Sequence, residues 1–269
     1  MPELPEVQTI KSQLTSYLPL KIKSTHKSKF INSINHTKIP NLKNKSIVKI
    51  DRHGKCLIFN FDNNTFLLSH LGMSGSWRIS ESKSTAKHTH FSFNTSTHYL
   101  SYVDPRRFGH MYFFNSHELE TYLSKLGPDL KSKKFSPAFI LKSIQRFPNK
   151  EIKPFLLDQK YFCGSGNYIA NEVCALSNIN PLMKCSLLNE RHAKKIHQAF
   201  RSILNAAIKN QGVTFQGGYS DAFGNKGQGV QNLVVFHQKV CGMCKKTQVK
   251  KVIQKQRGTF FCSTCQPLG

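Results

Sequence analysis

The strongest constraint on the fold lies near the end of the chain. Cys241-Gly242-Met243-Cys244 is followed by residues 245–261 and then by Cys262-Ser263-Thr264-Cys265. Two Cys-x-x-Cys knuckles separated by a hairpin-length segment match a tetrahedral zinc ribbon, in which four thiolates close the coordination shell. Such a shell leaves no open position for water. The expectation is therefore one structural Zn2+ per chain, held by Cys241, Cys244, Cys262 and Cys265, with no catalytic role for the metal. Lys250, Lys251, Lys255 and Arg257 make the intervening hairpin basic and suited to gripping phosphates. Cys56, Cys163, Cys174 and Cys185 lack paired spacing and read as small buried side chains.

Charge narrows the partner. Lys and Arg number 39 against 14 acidic residues in 269, a formal net charge of +25. The excess runs along the whole chain, from Lys21 and Lys23 through Lys133 and Lys194 to Lys251, so no single solvated face accounts for it. A polyanion is the expected partner, nucleic acid first, with affinity falling steeply as salt rises. No segment approaches the ~18 uninterrupted apolar residues of a membrane span. Glu3, Glu6 and Lys11 stand where the apolar run of a secretory leader would have to sit.

Periodicity divides the chain. Val7, Ile10, Leu14 and Tyr17 recur at helical spacing. Short apolar runs broken by Asn63-Asn64 and by Gly72 and Gly75 predict an antiparallel sheet sandwich over 46–114. A helix is expected over 117–126, closed by Gly127-Pro128, and residues 131–134 read as a linker. Ser136-Pro137 starts a further helix. The longest helix is expected over 187–209, with Ile196, Phe200, Ile203, Leu204 and Ile208 on one face. Six glycines within 212–229 predict a flexible loop.

The other end of the chain carries chemistry. The start is Met1-Pro2-Glu3-Leu4-Pro5-Glu6-Val7. Removal of Met1 leaves Pro2 as a terminal secondary amine. An α-amine titrates near ~8, so about a tenth is unprotonated at pH 7, far more than for a lysine at ~10.4. Such an amine attacks a sugar C1′ or an aldehyde to give an iminium ion, and Glu3 and Glu6 are adjacent proton carriers. The same residues also suit an acidic, proline-started first helical turn.

These ends, together with the motifs His70-Leu71-Gly72-Met73-Ser74-Gly75, Asp104-Pro105-Arg106-Arg107-Phe108-Gly109 and Gly164-Ser165-Gly166-Asn167-Tyr168, resemble the formamidopyrimidine-DNA glycosylases. The resemblance runs from residue 2 to Gln266 and implies an α+β fold: an N-terminal antiparallel β-sandwich with flanking helices, a helix–two-turn–helix region and a zinc ribbon. The implied domains are 1–130, catalytic; 131–232, DNA-binding with a lesion-capping loop; and 233–269, the ribbon, with DNA across the cleft. The implied activity is removal of oxidised purines from damaged double-stranded DNA, followed by strand cleavage through β- and δ-elimination. Pro2 is then the nucleophile, Glu3 the proton carrier, and Lys55 reaches the DNA near the lesion. From sequence alone Lys55 reads equally as an exposed strand-end lysine. Met73, Arg106 and Phe108 are implied to fill the gap left by the flipped base, with Arg106 facing the orphaned partner. Without the resemblance, Met73 and Phe108 read as packing residues. Asn167, Lys153 and Arg257 are implied backbone contacts, and His70 either positions phosphate or packs.

Departures temper the transfer. The loop ends Gly227-Gln228-Gly229-Val230, without the aromatic that often follows in the family. His88 and His90 are expected on one strand face, with Thr89 where the family has an acid, and no second metal is expected. Gly164-Ser165-Gly166-Asn167-Tyr168 also leans towards the endonuclease VIII branch, which prefers oxidised pyrimidines. Rival readings are a non-catalytic zinc-ribbon sensor of damaged DNA and an RNA-binding, ribosome-associated protein. The expected protein is a monomer, cytoplasmic and nucleoid-associated if bacterial, nuclear or viral otherwise.

Overall fold

The computed structural model describes residues 1–83, 86–215 and 218–268. Its first helix forms because its first residues cap it. In α1 (Leu4–Thr15) the Glu3 carboxylate accepts the Glu6 N–H and the Glu6 carboxylate accepts the Glu3 N–H, a reciprocal capping box. Pro5 lies in the first turn, where a missing N–H costs nothing. Val7, Ile10 and Leu14 form a fully buried stripe. The helix ends at Thr15, so Tyr17 lies beyond that stripe and packs edge-on against His98, 4.8 Å between centroids.

Eight strands follow: β1 (Leu20–Lys27), β2 (Ser46–His53), β3 (Cys56–Phe61), β4 (Phe66–His70), β5 (Ser76–Ser80), β6 (Thr89–Thr95), β7 (Tyr99–Val103) and β8 (His110–Phe114). They pair antiparallel in the order β5-β7-β6-β1-β2-β3-β4-β8. β1 lies outside the expected sheet range, because after Leu20 and Ile22 it turns polar and shows no alternation to read. It joins the two halves, pairing with β2 through Leu20 and Lys21 and with β6 from Ile22 onward. The sheet then folds over on itself. Trp77 of β5 donates its indole N–H to Ser69 Oγ of β4 at 2.9 Å, although the strands are far apart in the order. The Trp77 ring packs on Phe59 (4.8 Å) and stacks on Phe93 (5.9 Å), so both halves share one aromatic core. Burial of each such side chain contributes roughly 2–3 kcal/mol.

α2 (Ser116–Leu123) is capped by Asn115, whose side chain accepts the Glu118 N–H. It stops short of the expected Leu126, where the Ser124 hydroxyl turns back onto the Thr121 carbonyl at 3.0 Å. Contacts divide the chain into two units, Met1–Lys125 with Ile208–Val230, and Leu126–Ala207 with Gln231–Gly269.

The second unit holds α3 (Pro137–Gln145), α4 (Ile152–Phe155), α5 (Asn167–Leu176) and α6 (Glu190–Lys209), the last reaching into the first unit. Phe162 stacks on Phe200 at 5.8 Å, and Phe135 and Phe155 meet Phe162 edge-on. Residues 131–134 form a turn between buried Leu130 and Phe135, with the Ser132 N–H on the Asp129 carbonyl. α6 starts three residues later than expected because 185–187 form a separate 3-10 turn. The hairpin of β9 (Lys250–Gln254) and β10 (Arg257–Phe261) completes the unit. No helix among the described residues is long and apolar enough to cross a membrane.

Candidate functional site

Capping of α1 buries the residues beside the chain start. Pro2, Glu3 and Glu6 are all buried. Burial holds the Met1 α-ammonium below its ordinary value of 8.0, Glu3 and Glu6 oppose that shift, and Lys55 and Arg106 reinforce it. Residues far apart in sequence thus share one electrostatic neighbourhood around the terminal amine. Glu6 acts as a brace. Its Oε2 accepts the Glu3 N–H at 2.7 Å and its Oε1 the Val213 N–H at 2.8 Å. Gly212 lies alongside at φ +93°, and a Cβ there would stand 2.9 Å from Tyr219 Cε1 and 3.0 Å from Glu6 Cγ.

A second tie runs from the same helix. Gln13 donates to Asp221 Oδ2 at 2.8 Å and accepts the Ala222 N–H at 2.9 Å. Asp221 Oδ1 takes the N–H groups of Phe223 and Asn225. The described part of the glycine-rich loop is therefore pinned to the helix that Pro2 and Glu3 precede. Gly217, expected in this loop, lies outside the described residues.

Lys55 follows Gly54, whose φ of +56° makes the hairpin turn. It is 8% exposed, so the exposed strand-end reading does not hold. Arg52 fixes the turn by donating to the Gly54 carbonyl and to Gln8 Oε1, both at 2.9 Å. His70 ends β4. Burial, then the charges of Lys55 and His110, pull its pKa from 6.5 to about 4. Its Nδ1 accepts the Gly72 N–H, which leaves the proton on Nε2.

Met73 is 38% exposed and Phe108 is 49% exposed, so neither fills the core. Their two loops are tied by Asp104, a residue to which the sequence reading gave no role. Its carboxylate accepts from Ser74 Oγ (2.6 Å), the Arg106 N–H (3.2 Å), the Gly109 N–H (2.8 Å) and Tyr102 OH (3.3 Å). The Arg106 guanidinium lies 4.8 Å from the Phe108 ring centroid. His88 and His90 do not share a strand face, because His88 sits at φ +74° before β6 begins. His90 is buried, bonded to Ser28 Oγ and the Asp104 carbonyl.

In the second unit, Lys153 and Asn167 meet the β9–β10 turn. Lys153 is fully enclosed and donates to Asn167 Oδ1 at 2.8 Å and to the Gly258 carbonyl at 3.4 Å. Asn167 donates to the same carbonyl at 3.1 Å. Arg257, the adjacent residue, is exposed. Glu172 is a further residue without a sequence-assigned role. Its carboxylate accepts three successive N–H groups, from Val234, Val235 and Phe236, at 2.7–2.9 Å. Burial raises its pKa although those bonds oppose the rise.

The four cysteines converge, their sulfurs all within 4.8 Å of one another. Four sulfurs at ~2.3 Å from a tetrahedral centre stand ~3.8 Å apart. The pairs Cys244–Cys262 and Cys241–Cys265 lie at 3.8 and 4.0 Å, so the set fits a metal ion of that kind. N–H groups of Thr247 and Lys246 aimed at Cys244 draw its thiol down to about 6, towards the thiolate that a metal requires. Gln266 anchors the second knuckle through the Cys262 N–H and the Ile179 carbonyl. Cys56, Cys163, Cys174 and Cys185 are buried, as expected.

The chain is similar to known proteins along nearly its whole length. The formamidopyrimidine-DNA glycosylase N-terminal domain matches residues 1–111, and the H2TH domain of the same enzymes matches 126–217. A formamidopyrimidine-DNA glycosylase of Ligilactobacillus salivarius is 38% identical, covering 99% of each chain. One of Ruthia magnifica is 36% identical over 99% of this chain and 100% of its own. A Lactococcus lactis FPG mutant in complex with Fapy-dG containing DNA has a TM-score of 0.89 at 29% identity, covering 99% of this chain and 100% of that one. MutM bound to DNA containing carbocyclic 8-oxo-G gives 0.89 at 30% identity, with the same coverage. Similarity of this extent, in sequence and in fold, makes the chain a member of the formamidopyrimidine-DNA glycosylase family of DNA-repair enzymes.

Proposed function

We propose that the protein excises oxidised purines, 8-oxoguanine and formamidopyrimidines, from duplex DNA and then cuts the strand on both sides of the sugar. The observation that carries this reading is the setting of the chain start: Pro2, Glu3, Glu6 and Lys55 are buried, and Glu3, Glu6, Lys55 and Arg106 are the electrostatic neighbours of the Met1 amine one residue away. Once Met1 is removed, the Pro2 nitrogen is the terminal amine. Its lone pair attacks C1′, and the bond from C1′ to the base breaks with the electrons leaving on the base. Glu3 protonates the ring oxygen as the sugar opens to an iminium ion. The iminium acidifies C2′; the Glu3 carboxylate, having given up its proton, takes the C2′ proton and the 3′-phosphate leaves, and a second elimination, with loss of the C4′ proton, releases the 5′-phosphate. Lys55 meets phosphate near the lesion. Met73, Arg106 and Phe108 fill the gap, with the planar donors of Arg106 suited to the acceptor edge of cytosine.

His70, Asn167, Lys153 and Arg257 serve the phosphate backbone, Lys153 by holding Asn167 and the hairpin turn in place. Cys241, Cys244, Cys262 and Cys265 hold one Zn2+ that stabilises that hairpin. The functional divisions are 1–130, 131–232 and 233–269, and the protein acts as a cytoplasmic, nucleoid-associated monomer. The test is a duplex with one 8-oxoguanine opposite cytosine, beside duplexes carrying an oxidised pyrimidine. Cleavage of the purine duplex to phosphate at both new ends is expected. Faster cleavage of the pyrimidine duplex would move the protein to the endonuclease VIII-like reading. Tight binding without cleavage of either would leave a damage sensor.

A further inference from the structure

Two guanidinium–phenyl stacks stand side by side on one turn of the first unit. Arg106 lies over Phe108, and its neighbour Arg107 lies over Phe30, 4.7 Å from that ring's centroid. The two side chains diverge because Arg107 takes φ +56°, with its N–H on the Asp104 carbonyl. Phe30 is 44% exposed, and the Lys29 ammonium stands 5.2 Å from its ring centroid. The ring helps line a cavity of about 520 Å³ whose rim carries Lys29, Lys87 and Arg107 and, among the described residues, no carboxylate.

The position of Phe30 is built. The Asp104 carbonyl accepts from His90 Nε2 at 3.0 Å, so His90 Nδ1 accepts from the Ser28 hydroxyl at 3.1 Å. Ser28 Oγ in turn accepts the Phe30 N–H at 3.1 Å. One residue, Asp104, therefore fixes both stacks. An exposed ring beneath a guanidinium, edged with ammonium groups, suits a base with its phosphate: the base stacks and the cations neutralise.

We infer that the Phe30–Arg107 pair is a second stacking site, taking a nucleotide next to the orphaned base on the strand opposite the lesion. This rests on the proposed function, in which Arg106 on the same turn faces the orphaned base. The test uses the full chain and an uncleavable duplex with tetrahydrofuran opposite dC. A second tetrahydrofuran deletes the base on either side of that dC, or on either side of the lesion. Phe30→Ala should weaken binding to the intact duplex by about tenfold. Deleting the stacked base should weaken the unaltered protein similarly, and Phe30→Ala should then add nothing. Arg107→Gln should show the same coupling in smaller degree. Equal melting temperatures of variants and unaltered protein exclude a folding defect.

Independent, multiplying losses at every position, or no loss with Phe30→Ala, overturn the inference. So does coupling confined to the lesion strand. Because the duplex is uncleavable, the outcome is separate from catalysis. Strand cleavage without coupling removes this site alone, and coupling without cleavage of any lesion removes the glycosylase reading alone.

Discussion

His70 gives the sharpest test of how the sheet unit handles charge. Its folded pKa of about 4 lies below the ordinary 6.5, because burial comes first and the charges of Lys55 and His110 add to it. Protonation also sets an Nδ1–H against the Gly72 N–H it now accepts. A histidine held neutral in the folded state contributes stability above the unfolded pKa, and loses it as pH falls. Below pH 6.5 the unfolded chain takes up the proton first. Between pH 7.5 and pH 5 that linkage amounts to about 2 kcal/mol. Urea denaturation of the unaltered protein and of His70→Asn at both pH values isolates the term, since other titrating groups cancel in the difference. The stability difference between the two should move by about 2 kcal/mol in favour of the variant at pH 5. A difference that stays constant within about 0.5 kcal/mol refutes the account of His70. At pH 7 the residue carries no charge, so it offers a phosphate a neutral Nε2–H. A phosphate at that position raises the pKa, and duplex binding near pH 5.5 should then take up a proton.

Three other outcomes follow from single contacts. Asp104→Ala strands the buried Gly109 N–H and Tyr102 hydroxyl, at about 1 kcal/mol or more each, and unties Ser74 from the Arg106 turn; a loss of about 2 kcal/mol in urea and weaker binding to lesion duplexes are expected. Gly212→Ala adds a Cβ against Tyr219 and Glu6 at a positive φ; a stability loss of about 2 kcal/mol or more is expected, with slowed strand cleavage. Elemental analysis should find one zinc per chain, and Cys244→Ser should lower both the zinc content and the affinity for duplex DNA.

Much of the architecture is legible because its signals are local. The cysteine knuckles and the capped start of α1 each depend on neighbours a few residues away, and both assemble as their spacing predicts. What escaped is long-range. Asp104 reaches Ser74, Glu172 reaches residues 234–236, and Gln13 reaches Asp221, each partner set by the fold. Alternation misled at His88, since a strand pattern presumes a straight strand and φ +74° breaks it. β1 was missed for the converse reason: its second half is held by pairing with β6 and carries no apolar rhythm. Met73 and Phe108 show the limit of composition, because apolar residues in a sheet-rich segment read as core until their exposure is known.

The proposed reagent is the terminal amine. Borohydride reduction of the protein with a duplex carrying 8-oxoguanine opposite cytosine, followed by peptide mass spectrometry, tests it directly. A covalent DNA adduct on Pro2, on chains that have lost Met1, is expected. An adduct on Lys55, or cleavage by protein that retains Met1, would contradict it.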